Sequence, residues 1–190
     1  MTTAHRNPRA ITTGIVPRLV LSGLVVVGLV LIGSSLATVI NALTLEQQVE
    51  KAQIIMQTLV TTSEVQNRAN NRTWTAYALE PKKFIRGSSA ELTKINIANK
   101  SVPSLSIYGG ANIKLEGAPS FKAGDELVLL LYTKAYDSPI VGFNQGVYRV
   151  TGGKVTTLEG KPLTVTLDGK TVESSVENFL KRLEALAVGK

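Results

Sequence analysis

Residues 117–150 read "GAPSFKAGDELVLLLYTKAYDSPIVGFNQGVYRV". Lys122–Asp125 is a turn, with Gly124 at the position that best tolerates a positive φ. Six consecutive apolar residues follow, Leu127–Tyr132. A strand points successive side chains to opposite faces, so an unbroken apolar run requires burial on both faces. Such a strand belongs at the centre of a sheet or in the wall of a closed barrel. "AYDSP" at 135–139 is then a loop, and "GVYRV" at 146–150 is a further strand, with the polar residues Asn144, Gln145 and Arg149 set among apolar neighbours.

The pattern continues on both sides. "IIMQTLVTTSEV" at 54–65 is β-branched and threonine-rich, which favours a strand. "NRANNR" at 67–72 is a polar turn, and "TWTAYALEPKKFI" at 73–85 is a second strand, cut or bulged at Pro81. "RGSS" turns again, and "ELTKINIANK" at 91–100 is read as a strand carrying Leu92, Ile95 and Ile97. Residues 101–120, with Pro103, Gly109, Gly110, Gly117 and Pro119, make the loosest section. Downstream, "TGGK" at 151–154 turns the chain, and "KPLTVTLDGK" at 161–170 is a strand ending in a D-G turn.

Helical spacing occurs at both ends of this β region. Residues 43–53 place Leu45, Val49 and Ala52 on one face of a short amphipathic helix. Residues 174–188 begin with Ser174 and Glu177 as a capping-box pair. Val176, Phe179, Leu180, Leu183 and Leu186 then form an apolar face, and Gly189 ends the helix. The expected fold is mainly β: about six strands in a small antiparallel β-barrel or partly open sheet, with a short N-terminal helix and a C-terminal helix.

The chain has 190 residues, 44% of them hydrophobic, and the apolar content is concentrated near the start. Residues 19–45 contain no charged side chain, and His5, Arg6, Arg9 and Arg18 precede them. A basic start followed by a long apolar run targets a membrane, with the positive end on the cytoplasmic side. Two readings stay open for residues 1–42. As a signal peptide, the apolar part is about residues 19–33. Ser35 and Ala37 satisfy the small-x-small cleavage pattern, and Ala42 offers a second site. As a permanent anchor, about 25 uncharged residues make a helix of roughly 38 Å, long enough to span a bilayer. Either way, residues 43–190 form an exported domain in the periplasm, at the cell surface or outside the cell, tethered with its N-terminus in the cytoplasm if the run is kept.

The exported part excludes several chemistries. The single histidine is His5 and there is no cysteine, so residues 43–190 have neither. Ser-His-Asp and Cys-His catalysis, and the common zinc, copper and haem ligand sets, are therefore not expected. No metal site and no cofactor is expected, and no residue is assigned as catalytic. Of the 21 Lys and Arg, Arg6, Arg9 and Arg18 precede residue 43, so 18 cations face all 14 carboxylates and the domain is only mildly basic. A nucleic-acid partner is not expected.

The two halves of the opening stretch resemble a block found in a loosely defined group of exported bacterial proteins, mostly without assigned function. The block reads G-x-P-x-F-x-x-G-E, an apolar strand, then G-x-x-Q-G-x-[FY]-R-V. Here it is Gly117, Pro119, Phe121, Gly124 and Asp125, then Gly142, Gln145, Gly146, Tyr148, Arg149 and Val150. "LTLEQQVEKAQIIMQTLV" at 43–60, Arg86–Gly87 and Gly109–Gly110 fall at matching places. Gln57, Leu130 and Asp125 depart from the usual glycine, aromatic residue and glutamate. The resemblance implies an exported β-barrel domain, related in form to the five-stranded oligonucleotide/oligosaccharide-binding (OB) barrels. It implies no catalytic residues.

Each candidate site residue has two readings. The amides of Asn144 and Gln145 either satisfy buried peptide groups or present hydrogen bonds to a ligand such as a glycan. Arg149 is either paired with Asp125 or Glu126 across the sheet or holds a substrate. Trp74 and Tyr77, with Phe84, Phe121, Tyr132, Phe143 and Tyr148, either fill a core or line an aromatic groove. Lys82, Lys83 and Arg86 are the compact basic surface cluster, able to meet anionic headgroups or polymer. The functional expectation is a non-enzymatic binding or structural module of the bacterial cell envelope, whose partner is an envelope polymer or a membrane protein. The alternatives are a single-pass accessory subunit of a membrane complex, touching lipid through residues 19–42, and a carboxylate-based envelope hydrolase.

Overall fold

A computed structural model describes residues 41–68, 72–95, 102–110, 115–134, 136 and 138–189. The apolar run up to residue 40, the centre of the 67–72 turn and Ile97 lie outside them. Among the described residues there are eight strands and three helices, with all strand pairings antiparallel. None of those helices is long and apolar enough to cross a membrane.

The frame is a hairpin of two 15-residue strands, β1 (Ile54–Arg68) and β2 (Arg72–Arg86). β3 (Ser104–Tyr108) adds to β2, and β4 (Glu126–Leu131) adds to β1. β5 (Val147–Thr151) and β6 (Lys154–Thr157) follow β4, so the sheet runs β3-β2-β1-β4-β5-β6. β7 (Thr164–Leu167) and β8 (Lys170–Glu173) form a separate hairpin. Its Asp168-Gly169 turn has positive φ at both residues, the conformation that twists with its strands. Pro81 produces the expected bulge: Gln57 pairs with Lys83 and Thr58 with Pro81, leaving Lys82 as the extra residue.

The sheet does not close into a barrel, because its two ends grow from opposite ends of the long hairpin. β4 pairs with β1 over 54–59, whereas β3 pairs with β2 over 74–78, which lies across from 62–66 of β1. The outer edge of β6 is taken by the chain that follows it, through bridges to Pro162 and Ser175.

β4 is buried on both faces, as its sequence requires. Leu127, Leu129 and Leu131 enter one core with Ile54, Met56, Tyr77 and Phe121. Val128 and Leu130 enter the other with Ile55, Tyr148 and Phe179. Burying each such side chain contributes about 1.5–3 kcal/mol, which is why both faces are covered. α2 (Ser89–Ile95) covers the first with Leu92 and Ile95. α1 (Leu45–Lys51), α3 (Val176–Val188) and the β7–β8 hairpin cover the second.

Two local expectations are corrected. Residues 91–95 belong to a helix and not to a strand. Ser88 accepts from Glu91 N at 3.4 Å, an N-terminal cap, and Leu92 and Ile95 are three apart, a spacing that one helix face serves. At the C-terminal helix the cap is Ser175, which accepts from Asn178 N at 3.2 Å, and not Ser174. Ser174 instead lies buried across from β6, with its hydroxyl lacking a partner among the described residues.

The two adjacent serines therefore differ in energetic role. Ser175→Ala should lower stability by about 1 kcal/mol through the lost cap. Ser174→Ala removes an unsatisfied buried hydroxyl and should leave stability unchanged or raised. Urea unfolding of the two variants checks this, and equal losses would contradict the assignment of the cap.

Candidate functional site

The two halves of the 117–150 stretch are bonded to each other. Asn144 Nδ2 donates to the Gly117 carbonyl at 3.0 Å. Arg149 donates to Asp125 Oδ2 at 2.8 Å and to the Ser120 carbonyl at 3.0 Å. Gln145 reaches elsewhere: its Oε1 accepts from Leu43 N at 2.6 Å, and its Nε2 donates to the Asn41 carbonyl at 3.0 Å. The glycines allow this loop to lie flat on β4. A Cβ at Gly146 would stand 2.7 Å from the Leu130 carbonyl, and Gly142 has φ +62. Phe143 shares that positive φ (68°), a strained choice for a bulky residue, held by its own N–H to the Ile140 carbonyl and by the N–H groups of Asn144 and Gln145 to the Gly142 carbonyl.

Trp74 and Tyr77 sit on opposite faces of β2. Trp74 meets Tyr108 edge-on at 5.5 Å, while Tyr77 meets Phe121 at 5.0 Å inside the α2-side core. Neither lies beside Asn144, Gln145 or Arg149, so the structure does not gather these five residues into one site. The basic residues are also separated. Lys82 pairs with Glu126 at 2.9 Å and Lys83 with Glu184 at 2.6 Å. Arg86 donates to the carbonyls of Val49 (2.6 Å), Ala52 (2.7 Å) and Ala187 (3.3 Å), at the C-terminal ends of α1 and α3. The partial negative charge of both helix ends thus meets one guanidinium. Of the motif residues, Pro119 and Phe121 are buried, and Gly117 and Gly124 are exposed turn glycines.

Two clefts stand out among the described residues. The larger of the two, about 400 Å³, lies at the far end of the β1–β2 hairpin, on the α2 side, where β4 no longer pairs with β1. Ser63, Val65, Thr75, Tyr77 and Ile107, cross-strand neighbours on one sheet face, line one side, and Pro119 and Ser120 are among the residues that line the rest. Among the described residues, no Asp, Glu, Lys, Arg or His lines it. The smaller, about 310 Å³, lies beside Gln145, between Leu43, Leu45, Gln48 and Tyr148 and the 157–163 turn. Its buried Tyr148 hydroxyl bonds Gln48 Oε1 at 2.7 Å. Burial pushes that hydroxyl far above the usual phenol range, so it remains a neutral donor. Among the described residues there is no group of three His, Cys, Asp or Glu able to hold a metal.

The hairpin wall was not singled out in the sequence. Ser63 and Val65 face Tyr77 and Thr75 in register, and this alternation in "TTSEV" was the available signal. No protein-family model matches the chain, and no curated protein is significantly similar to it.

Two measurements follow from these contacts. Arg86→Leu strips the shared cap from two helices and should cost about 3 kcal/mol in urea unfolding, since charged hydrogen bonds contribute about 1.5–3 kcal/mol each. Arg86→Lys should recover only part of that, because one ammonium cannot span three carbonyls in a fixed fork. The second concerns pH. The Lys82 ammonium, with Gln57, holds Glu126 below the usual carboxylate range. Its folded value lies below its unfolded one, so its contribution is full above about pH 4.3 and is lost as pH falls through the folded value. Glu126→Gln should therefore be less stable than wild type at pH 7, by under about 1 kcal/mol for so exposed a pair. The two should converge in acid; a gap that persists at pH 3 would show that charge is not its origin.

Proposed function

We propose that the protein is a non-catalytic binding module of the bacterial cell envelope and that it holds a neutral, hydroxyl-rich chain, such as a glycan segment, in the cleft at the end of the β1–β2 hairpin. The observation that carries this reading is the lining of the cleft: the hydroxyl-bearing residues Ser63, Thr75 and Ser120 beside Tyr77 and Ile107, with no charged side chain among the described lining residues. A sugar would offer hydroxyls to the Ser and Thr side chains and a C–H face to the Tyr77 ring. The volume, about 400 Å³, falls within the roughly 300–1,000 Å³ common for ligand pockets.

The cleft lies on the face formed by β1, β2 and β3. The resemblance of 43–150 to exported proteins supports the same reading. In this reading the 117–150 block is scaffold: Asn144, Arg149 and Asp125 hold the 115–120 wall against the body.

Val65 is half exposed at the rim and Ser120 lies at the opposite lip, so both change without disturbing the core. Val65→Glu and Ser120→Trp should each weaken binding to a neutral oligosaccharide at least tenfold in titration calorimetry, with unchanged urea midpoints. Binding equal to wild type in both variants would remove the cleft from consideration. Trp74→Ala is the poorer test, because that ring is buried on the other face.

A further inference from the structure

Beyond residue 60, β1 has a neighbouring strand on one side only among the described residues. Its ladder with β4 covers 54–59 and closes at Val60, where Val60 N donates to the Asp125 carbonyl and Gly124 N to the Val60 carbonyl, both at 2.9 Å. From Thr62 onward β1 pairs with β2 alone. The direction of its main-chain groups there follows from the other side of β2. Gly109 N bonds the Thr73 carbonyl and Leu79 N bonds the Pro103 carbonyl, so the odd-numbered residues of β2 face β3. Trp74, Ala76 and Ala78 therefore face β1 and bond Gln66, Glu64 and Thr62. Ser63, Val65 and Asn67 are left to aim their N–H and C=O groups at the open edge, and all three residues are exposed.

An open edge is a template for another strand, and sheets usually blunt it with lysine or proline. This one has neither from Thr61 to Asn67, and at its centre stands Val65, one of the exposed large apolar residues. The edge is also complementary to itself. Paired antiparallel about Val65, it sets Val65 against Val65 of a second copy, Ser63 against Asn67, and Glu64 against Gln66. The last pair is an acceptor meeting a donor, the bond that Gln66 Nε2 and Glu64 Oε2 already make within one chain at 3.5 Å. Pairing about Glu64 would instead set two carboxylates directly opposite, which repels.

We propose that the 62–67 edge of β1 docks a second copy of this chain, antiparallel about Val65, joining two sheets across a two-fold axis. The pairing covers few residues, so the interface is small and the dimer transient. Ser63 and Val65 also line the larger cleft, so the docked strand brings the second copy's Ser63 and Val65 beside its rim.

The chain has no cysteine, so single substitutions report the contact. Residues opposite each other in a hydrogen-bonded antiparallel pair have Cα atoms about 5.5 Å apart, within disulfide reach. In the full chain, purified in mild detergent and oxidised, Val65→Cys should form a disulfide-linked dimer at least tenfold faster than Val188→Cys. Exposure alone predicts the reverse order, since Val65 is 48% and Val188 80% exposed. Adding Ser63→Pro to Val65→Cys removes an outward N–H that the single chain does not use, so the urea midpoint should hold while crosslinking slows at least tenfold. Crosslinking no faster at 65 than at 188 overturns the proposal and leaves the edge to an extended peptide of another protein. A rate that Ser63→Pro leaves unchanged also overturns it and assigns the association to another surface. Neither result bears on the cleft as a glycan site, which the oligosaccharide titrations test separately.

Discussion

The double burial of β4 is the constraint from which the rest of the architecture follows. A strand with Leu127, Leu129 and Leu131 on one side and Val128 and Leu130 on the other is unstable unless both faces are roofed. The roofs come from different parts of the chain. α2, from the middle, covers one side, and α1 with α3, the first and last described elements, cover the other. Arg86 completes the second roof. Glu46 in the first turn of α1 meets Arg182 of α3 at 2.8 Å, and farther along the carbonyls of both helices converge on the Arg86 guanidinium. The two helices therefore run in the same sense. Their aligned dipoles repel, and a cation at the shared negative end offsets that cost.

The cleft arises from a mismatch in strand length. β1 and β2 have 15 residues each, β4 has six, and β3 joins at the far half of the hairpin. β1 runs on past its pairing with β4, and the 115–120 segment lines the cleft together with 63–65 and 75–77. The polar residues of the 142–150 half of the motif act at a distance from this opening. They fix the segments that border it and the chain that leads into the domain, which is a positioning role carried out through main-chain hydrogen bonds.

Much of this was legible in the residues. The apolar run at 127–132, the bulge at Pro81, the D-G turn at 168–169 and the three-to-four spacing of Phe179, Leu180 and Leu183 each follow from local stereochemistry, and each is present. Two things were not legible for definite reasons. Leu92 and Ile95 fit either a strand or a helix in so short a segment, and the cap at Ser88 decided between them. Closure of the sheet depends on where strands pair along a long hairpin, which alternation alone does not specify. The candidate site was harder still. Asn144 and Gln145 were visible as unusual polar residues, but their partners, Gly117, Asn41 and Leu43, lie 27, 104 and 102 residues away.

The pairing of α1 with α3 also sets a schedule for folding. Synthesis delivers the chain from its N-terminus at about 5–20 residues per second. α1 is the first described element to emerge, yet the helix beside it, Val176–Val188, is the last of them. Until that helix arrives, Ile55, Val128, Leu130 and Tyr148 stay uncovered on one side of a sheet that is otherwise complete. The second core therefore cannot close before α3 has been made. Until then the uncovered face stays accessible to whatever holds unfolded chains, and the docking of α3 is the step that makes the domain rigid.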